Sequence, residues 1–277
     1  MAHLQSNRYG KHRVRVLKVL RGIARHEVCE LEADVLLEGD LDGSYLSADN
    51  SSIVPTDTVK NTVQFLAHDH LETCRVSFAR VIGEHFLRKY EHLTGVSVEL
   101  RERRWSPMSD SPHSFVAQGN GEWFARGKFQ RGAAPVLSAG LRDHLIMKTT
   151  ESGFSGYNQC DLTTLPPTDD RILSTRLSAE WTFASNAKLC SCEVDAKVLG
   201  AAYDIFSDTF SPSVQRTLFQ VGEAVLEAVP EIAKIDLGMP NVHFLGLDLS
   251  KLGRPNQDAV FLPTDEPHGE IQATVAR

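Results

Sequence analysis

The chain has 277 residues, 42% of them hydrophobic and 23% charged. That is enough to bury one large core or two smaller ones, and it excludes wholesale disorder. Its 29 basic side chains against 36 acidic ones give a net charge of −7, which argues against general binding of nucleic acid or of an anionic membrane.

In chain order, segments 12–20 and 27–41 alternate apolar and polar residues as half-buried antiparallel strands do. Residues 43–55, rich in Gly, Ser, Asp and Asn and closed by Pro55, read as a loop. Thr56 or Asp57 then caps a short helix to about Phe65, and a longer helix follows over about 71–92. Its Val76, Ala79, Ile82 and Phe86 share one face, with Phe78 and Leu87 at the margin. Strands return over 95–106 and 113–129. The second half repeats this order, with strands near 134–149 and 172–187. A helix then opens at Ser211-Pro212 and carries the stripe Val214, Leu218, Val221 and Val225, and strands follow near 232–249 and 258–276. The reading is therefore α+β: two tandem antiparallel modules, 1–132 and 133–277, each β-β-α-β-β with helices on one face. The other sheet face and the edges need cover, which closure of several copies into a barrel supplies.

Candidate chemistry lies at a few places. Ser211 is read as a cap before Pro212 at the first helical position, leaving the amide of Val214 among the unpaired N–H groups that bind anions. Gln215, next to it, both donates and accepts. The start at Val54-Pro55-Thr56-Asp57 similarly frees amides near Asp57. By itself, each is simply a capped helix. Asn241 and His243 enter a strand two residues apart and so face the same way; alone, such a pair is as readily structural. Arg171 opens a strand after Pro166-Pro167 and can either lie solvated or clamp a planar anion through its two-point fork. Phe154, among small residues, is either a stacking platform or a core plug. His68-Asp69-His70 places two imidazoles on one face if extended, without an evident third ligand. The five cysteines, Cys29, Cys74, Cys160, Cys190 and Cys192, are odd in number and irregularly spaced. They read as reduced thiols, the Cys190-x-Cys192 pair as two strand cysteines. The P-loop, GxGxxG, GxSxG and HExxH patterns are absent.

The segments Arg8-Tyr9-Gly10-Lys11, Ala48-Asp49-Asn50-Ser51 and Pro55-Thr56-Asp57-Thr58-Val59-Lys60-Asn61-Thr62 come in order along the first half. Pro112-His113-Ser114-Phe115, Lys148-Thr149-Thr150 leading to Phe154, and Asp170-Arg171-Ile172-Leu173-Ser174-Thr175 follow. Ser213-Val214-Gln215 and Pro240-Asn241-Val242-His243-Phe244 complete the series. Each is short, but their order and spacing are specific, and over essentially its whole length the chain resembles the urate oxidases.

That resemblance implies the tunnelling fold (T-fold), closed with neighbouring copies into an oligomeric β-barrel. It implies a homotetramer with active sites at subunit interfaces, and oxidation of urate by O2 to 5-hydroxyisourate with release of H2O2, needing no cofactor and no metal. Carried over residue by residue, Arg171 and Gln215 grip opposite edges of the purine dione, the Val214 amide assists, and Phe154 stacks on the ring. Lys11, Thr56 and His243 relay protons, Asn241 and Thr56 hold the oxygen species, and the Asp57 amide contacts substrate from the neighbouring copy. The residue types suit the chemistry. Lysine, ordinarily near roughly 10.4, serves as a base near neutrality only when desolvated, whereas histidine, near roughly 6.5, already titrates there. A threonine hydroxyl between them donates and accepts. Where the family usually carries an aromatic, this chain has Leu162, which is expected to alter packing behind the stacking loop. Two other readings stand beside this one: a metal-dependent pterin enzyme of the same fold, and an inactive purine-binding oligomer. The chain has no apolar run of membrane-spanning length, no signal-peptide core at its start and no peroxisomal tripeptide at its end, so a cytoplasmic location is expected.

Overall fold

The structure, a computed structural model, describes residues 2–72, 74–185, 187 and 191–277. These residues divide into two compact units: Met1–Gly140 with Trp181–Asp195, and Leu141–Glu180 with Ala196–Arg277.

In the first unit β1 (Tyr9–Arg21) and β2 (His26–Gly39) form an antiparallel hairpin. β2 pairs with β3 (Leu93–Arg103), and β3 with β6 (Glu122–Gln130), giving the order β1-β2-β3-β6. Between β3 and β6 the short β4 (Trp105–Pro107) and β5 (Phe115–Ala117) make a separate two-stranded ribbon. The two strands expected over 95–106 and 113–129 are thus each broken. Gly121, at φ 89°, accommodates one of the bends. Leu31, Ala33, Val35 and Leu37 alternate into the core from β2, and Val96, Val98 and Leu100 do so from β3. Against that face pack α2 (Thr56–His70) and α3 (Arg75–Lys89). The α3 stripe Val76, Ala79, Ile82 and Phe86 is fully buried, and so is Phe78, which periodicity had placed at the margin. Each such side chain contributes roughly 1.5–3 kcal/mol on burial. Gly83 lets α3 lie close on β6, for a Cβ there would come within 2.2 Å of the Phe129 ring.

The second unit repeats the scheme. Parts of β7 (Val136–Lys148) and β8 (Leu173–Phe183) belong to it, with β9 (Ile232–Gly238), β10 (Asn241–Gly246), β11 (Phe261–Gly269) and β12 (Gln272–Ala276). β8 is bordered by β10 and β9, β10 carries β11, and β9 carries β12. The long strands expected over 232–249 and 258–276 are therefore split near Pro240 and Glu270, because their halves pair with different partners. The helix α5 (Val214–Ala228) lies on β9 and β12. Its stripe Val214, Leu218, Val221 and Val225 is buried, and Gly222 faces Val275 where a Cβ would come within 2.5 Å. Gly83 and Gly222 thus play matching parts in the two units.

Four local expectations need correction. Helix α2 runs on to His70, so His68 and His70, two residues apart at 3.6 residues per turn, point to different sides of a helix instead of sharing one face of a strand. His68 is engaged by Asp69 at 2.5 Å. The loop 43–55 contains a helical turn, α1 (Asp42–Leu46). An 18-residue helix, α4 (Ser191–Asp208), stands where no helix was expected, so Cys192 is a helix residue and not a strand cysteine. Cys190, its expected companion, lies outside the described residues. Cys29, Cys74, Cys160 and Cys192 are all free thiols. Among the described residues no helix is long and apolar enough to cross a membrane, and no three His, Cys, Asp or Glu side chains are grouped to hold a metal.

Candidate active site

The expected site residues fall into two groups, one in each unit. In the first unit, β1 and β2 run in plain register from Arg21 up to Val14, which lies opposite Ala33; further along, Lys11 lies opposite Val35. Two residues of β1, His12 and Arg13, therefore oppose the single residue Asp34, which is a β-bulge. Without the bulge Lys11, three positions from buried Val14, would face away from the core. With it, Lys11 shares the face of Val35, on the helix side of the sheet. Tyr9 shares that face too, opposite Leu37, and its hydroxyl accepts a 2.6 Å hydrogen bond from the Val54 N–H. Lys11 and the start of α2 are thereby sewn together by the strand residue two places before Lys11.

At that helix start Thr56 is the first helical residue and Asp57 the second, after Pro55, and no side chain caps the helix. This corrects the expectation that Thr56 or Asp57 is the cap. The Asp57 carboxylate turns instead to Lys60 at 2.5 Å and Asn61 at 2.9 Å. It is held below the ordinary carboxylate range chiefly by Lys60, with a lesser contribution from the charge of Lys11. Its amide, in the first turn, has no intrahelical partner.

In the second unit the Phe154 loop is pinned on two sides. Phe154 exchanges backbone hydrogen bonds with Thr168, at 2.8 and 3.0 Å, and Gly153 N–H donates to the Ser211 carbonyl at 2.9 Å. Ser211 N–H returns a bond to Glu151. The Ser211 hydroxyl accepts from buried Thr217 at 2.7 Å, so it is committed to the helix and does not cap it. The cap of α5 is Ser213, whose hydroxyl accepts from Arg216 N–H at 3.2 Å, and Val214 is the first helical residue. Val214 is buried and Gln215 exposed. The Phe154 loop and the amides at the start of α5 are thus one hydrogen-bonded construction.

Arg171 lies before β8 with its guanidinium 5.4 Å from the Phe154 ring centre. Its Nε–H is buried without a hydrogen-bond partner. Burial pushes the guanidinium below its usual value, and among the described residues no anionic side chain opposes that shift. Asp170, next in sequence, is occupied elsewhere, its carboxylate accepting from Thr150 at 2.8 Å. A half-buried guanidinium without a counter-charge is a receptor for an anion. Behind Phe154 stacks Tyr157, with centroids 4.8 Å apart and planes 15° apart, and its hydroxyl donates to the Leu165 carbonyl. Leu162 is 88% exposed and does not pack there, so the departure at that position leaves the stacking loop backed by Tyr157. Asn241 and His243 flank buried Val242 on β10. Asn241 stands opposite Thr175, and Thr264 donates to the His243 carbonyl at 3.2 Å.

A model of the uricase family matches residues 7–126 and 137–272. The uricase of Dictyostelium discoideum is 38% identical over 285 residues, covering 100% of this chain and 98% of that protein. The chain belongs to the uricase family. The uricase of Cyberlindnera jadinii is similarly 38% identical, over 99% of this chain and 97% of its own. The crystal structure of uricase from Arthrobacter globiformis superposes with a TM-score of 0.94 at 34% identity, covering 100% of this chain and 96% of that one. The likeness assigns the α+β tunnelling fold read from the sequence.

Within this uricase-family chain, residue types alone pointed to Thr56, Arg171 and Gln215, and the resemblance added Lys11. Tyr9 and Tyr157, which hold those parts in place, were passed over, and Ser211 was given the part of a cap. One signal for Tyr9 was available. Lys11, His12 and Arg13 are three polar residues in succession, where a half-buried strand alternates.

Proposed function

We propose that the protein oxidises urate with molecular oxygen to 5-hydroxyisourate, releasing hydrogen peroxide, without a metal or organic cofactor. One observation carries the substrate assignment: the half-buried guanidinium of Arg171, with no carboxylate partner among the described residues, lies 5.4 Å from the centre of the Phe154 ring, which Tyr157 backs by stacking. That pairing suits a planar anion, which the guanidinium grips at its edge and Phe154 covers. Gln215 and the Val214 amide, at a helix start that favours negative charge, take the remaining polar edge. Membership of the uricase family supports the choice of urate among planar anions.

Urate is electron-rich once deprotonated, so the protein's task is to hold the dianion-like plane and to move protons. Lys11, Thr56 and His243 carry those protons, and Asn241 with Thr56 holds oxygen, then peroxide or water, against the ring. Urate, O2 and water balance against 5-hydroxyisourate and H2O2. We further propose that the modules 1–132 and 133–277 close with those of other copies into a barrel, as a tetramer. In it the Lys11–Thr56–Asp57 group of one copy completes the Arg171–Gln215 group of another.

The test follows urate absorbance, oxygen uptake and peroxide release in colourless, exhaustively chelated protein. One peroxide per urate at undiminished rate is expected. Activity that returns only with one added metal overturns the cofactor-free step and favours the metal-dependent reading.

A further inference from the structure

We infer that Asp34 is a positioning residue for Lys11, clasping the bulge that turns the Lys11 side chain onto the helix-facing side of the sheet. The inference rests on the proton-relay role proposed for Lys11.

The bulge is not self-supporting. Arg13 adopts φ 58°, the left-handed region that a residue with a Cβ avoids, so something must hold it there. Asp34 is the one β2 residue facing the two-residue excess. Its Oδ1 accepts the Arg13 backbone N–H at 2.7 Å, a ladder donor that the bulge would otherwise strand. Its Oδ2 meets the His12 ring at 3.1 Å and Arg101 Nη2 at 2.6 Å. Both bulge residues are therefore tied to one carboxylate, and that carboxylate is fixed from β3 by Arg101. Arg101 in turn is steadied by Glu32 and Glu99.

The consequence follows from strand parity. A one-residue slip of register at unchanged length reverses the face of everything upstream. Loss of the bulge sends Tyr9 and Lys11 to the opposite side together. It also breaks the Tyr9 hydroxyl's bond to Val54 N–H, which anchors the segment leading into Thr56. Asp34 is on the far face of the sheet from the relay and touches none of it, so its effect on chemistry passes through Lys11.

The test compares Asp34→Ala, Asp34→Asn and Arg13→Ile with the parent and Lys11→Met. Turnover of urate and affinity for non-reacting xanthine are both measured. Asp34→Ala is expected to lower kcat by about tenfold or more while xanthine affinity stays within about twofold, the separation that marks a relay defect. Asp34→Asn, which keeps an oxygen for the Arg13 N–H, recovers most of the loss. In the Lys11→Met background Asp34→Ala costs much less than it does in the parent, because most of its effect passes through Lys11. If Asp34→Ala does not fold, Arg13→Ile stands in: a β-branched residue resists φ 58°, so the bulge is opposed with the strand length unchanged, and full kcat in that protein overturns the inference. Full kcat in Asp34→Ala alongside an inactive Lys11→Met overturns it as well and leaves the proposed function standing. Should Lys11→Met itself turn over normally, the relay role fails instead. A crystal structure of Asp34→Ala then still decides whether Asp34 holds the bulge, by the face on which Lys11 lies.

Discussion

Arg171 carries its positive charge half-buried and without a counter-ion among the described residues, a cost that a bound anion removes. Arg171→Ala is expected to reduce kcat/KM for urate by on the order of 2–4 kcal/mol of transition-state binding. Arg171→Lys should restore little of it, since a point charge lacks the planar fork; a lysine variant as efficient as the parent would remove Arg171 from the substrate edge. Asp34 offers a second measurement at this scale. Burial raises its pKa, but Arg101, the Arg13 N–H and His12 outweigh burial and hold it below the ordinary value. A depressed folded-state pKa means that the stabilisation is complete above the unfolded value, roughly 3.9, and is lost as pH falls through the folded one. The stability gap between the parent and Asp34→Asn, from denaturant titrations, should stay level down to about pH 4 and close below it. A gap unchanged at the lowest pH tested would show that the carboxylate charge is not what stabilises the bulge.

At the scale of elements, the first turn of α4 is tied to α3 and β3 by ions rather than by apolar contact alone. Arg75, 1% exposed, forks onto Asp195, 2% exposed, at 2.6 and 2.9 Å, and its Nε donates to the Phe124 carbonyl. Arg104 joins Asp195 from the other side and lies 3.5 Å over the Trp123 ring. Burial opposes the charge of Arg75, but Asp195 and Glu102 keep it above its usual value. Asp195→Ala leaves a buried guanidinium short of its main partner and should cost about 3–5 kcal/mol of stability. The pair Arg75→Met with Asp195→Leu should cost much less than the single change, because no charge is then stranded. Equal losses in thermal melts of the two proteins would show that packing, not charge, governs this junction. The helix itself was within reach of sequence reading. Val194, Val198, Ala202 and Phe206 recur every four residues and are buried. Asp195 was not, since its partners lie 91 and 120 residues away in the chain.

For the whole molecule, the proposed assembly makes a prediction that single-chain reasoning does not. Thr56→Ala and Arg171→Ala should each be inactive alone, yet should complement one another when co-expressed. In a two-fold pair every mixed dimer holds one doubly damaged site and one intact site. With random pairing, roughly a quarter of all sites are then wild type. Urate turnover near that level in co-purified mixed oligomers, and none in separately purified variants blended without exchange, is the expected result. If mixed oligomers form and restore nothing, Thr56 and Arg171 serve a site within one chain and the interface assignment is wrong.

The sequence by itself determined the α+β class, the repeated order of strands and helices, the buried stripes of α3 and α5, and the ordered motifs of the uricase family. These are properties of periodicity and of short segments, and they survive without knowing what lies across the sheet. Tertiary structure decided which residue caps each helix start, which ring backs Phe154, and which way Lys11 faces. The facing of Lys11 depends on partners remote in sequence, Asp34 across the hairpin from Arg13 and Val54 from Tyr9. The cap and the backing ring depend instead on local loop conformation, through which Thr217 takes up the Ser211 hydroxyl and Tyr157 meets Phe154. A strand's pattern of side chains is known only up to a reversal of face until its bulges are known, and a bulge is a relation between two strands.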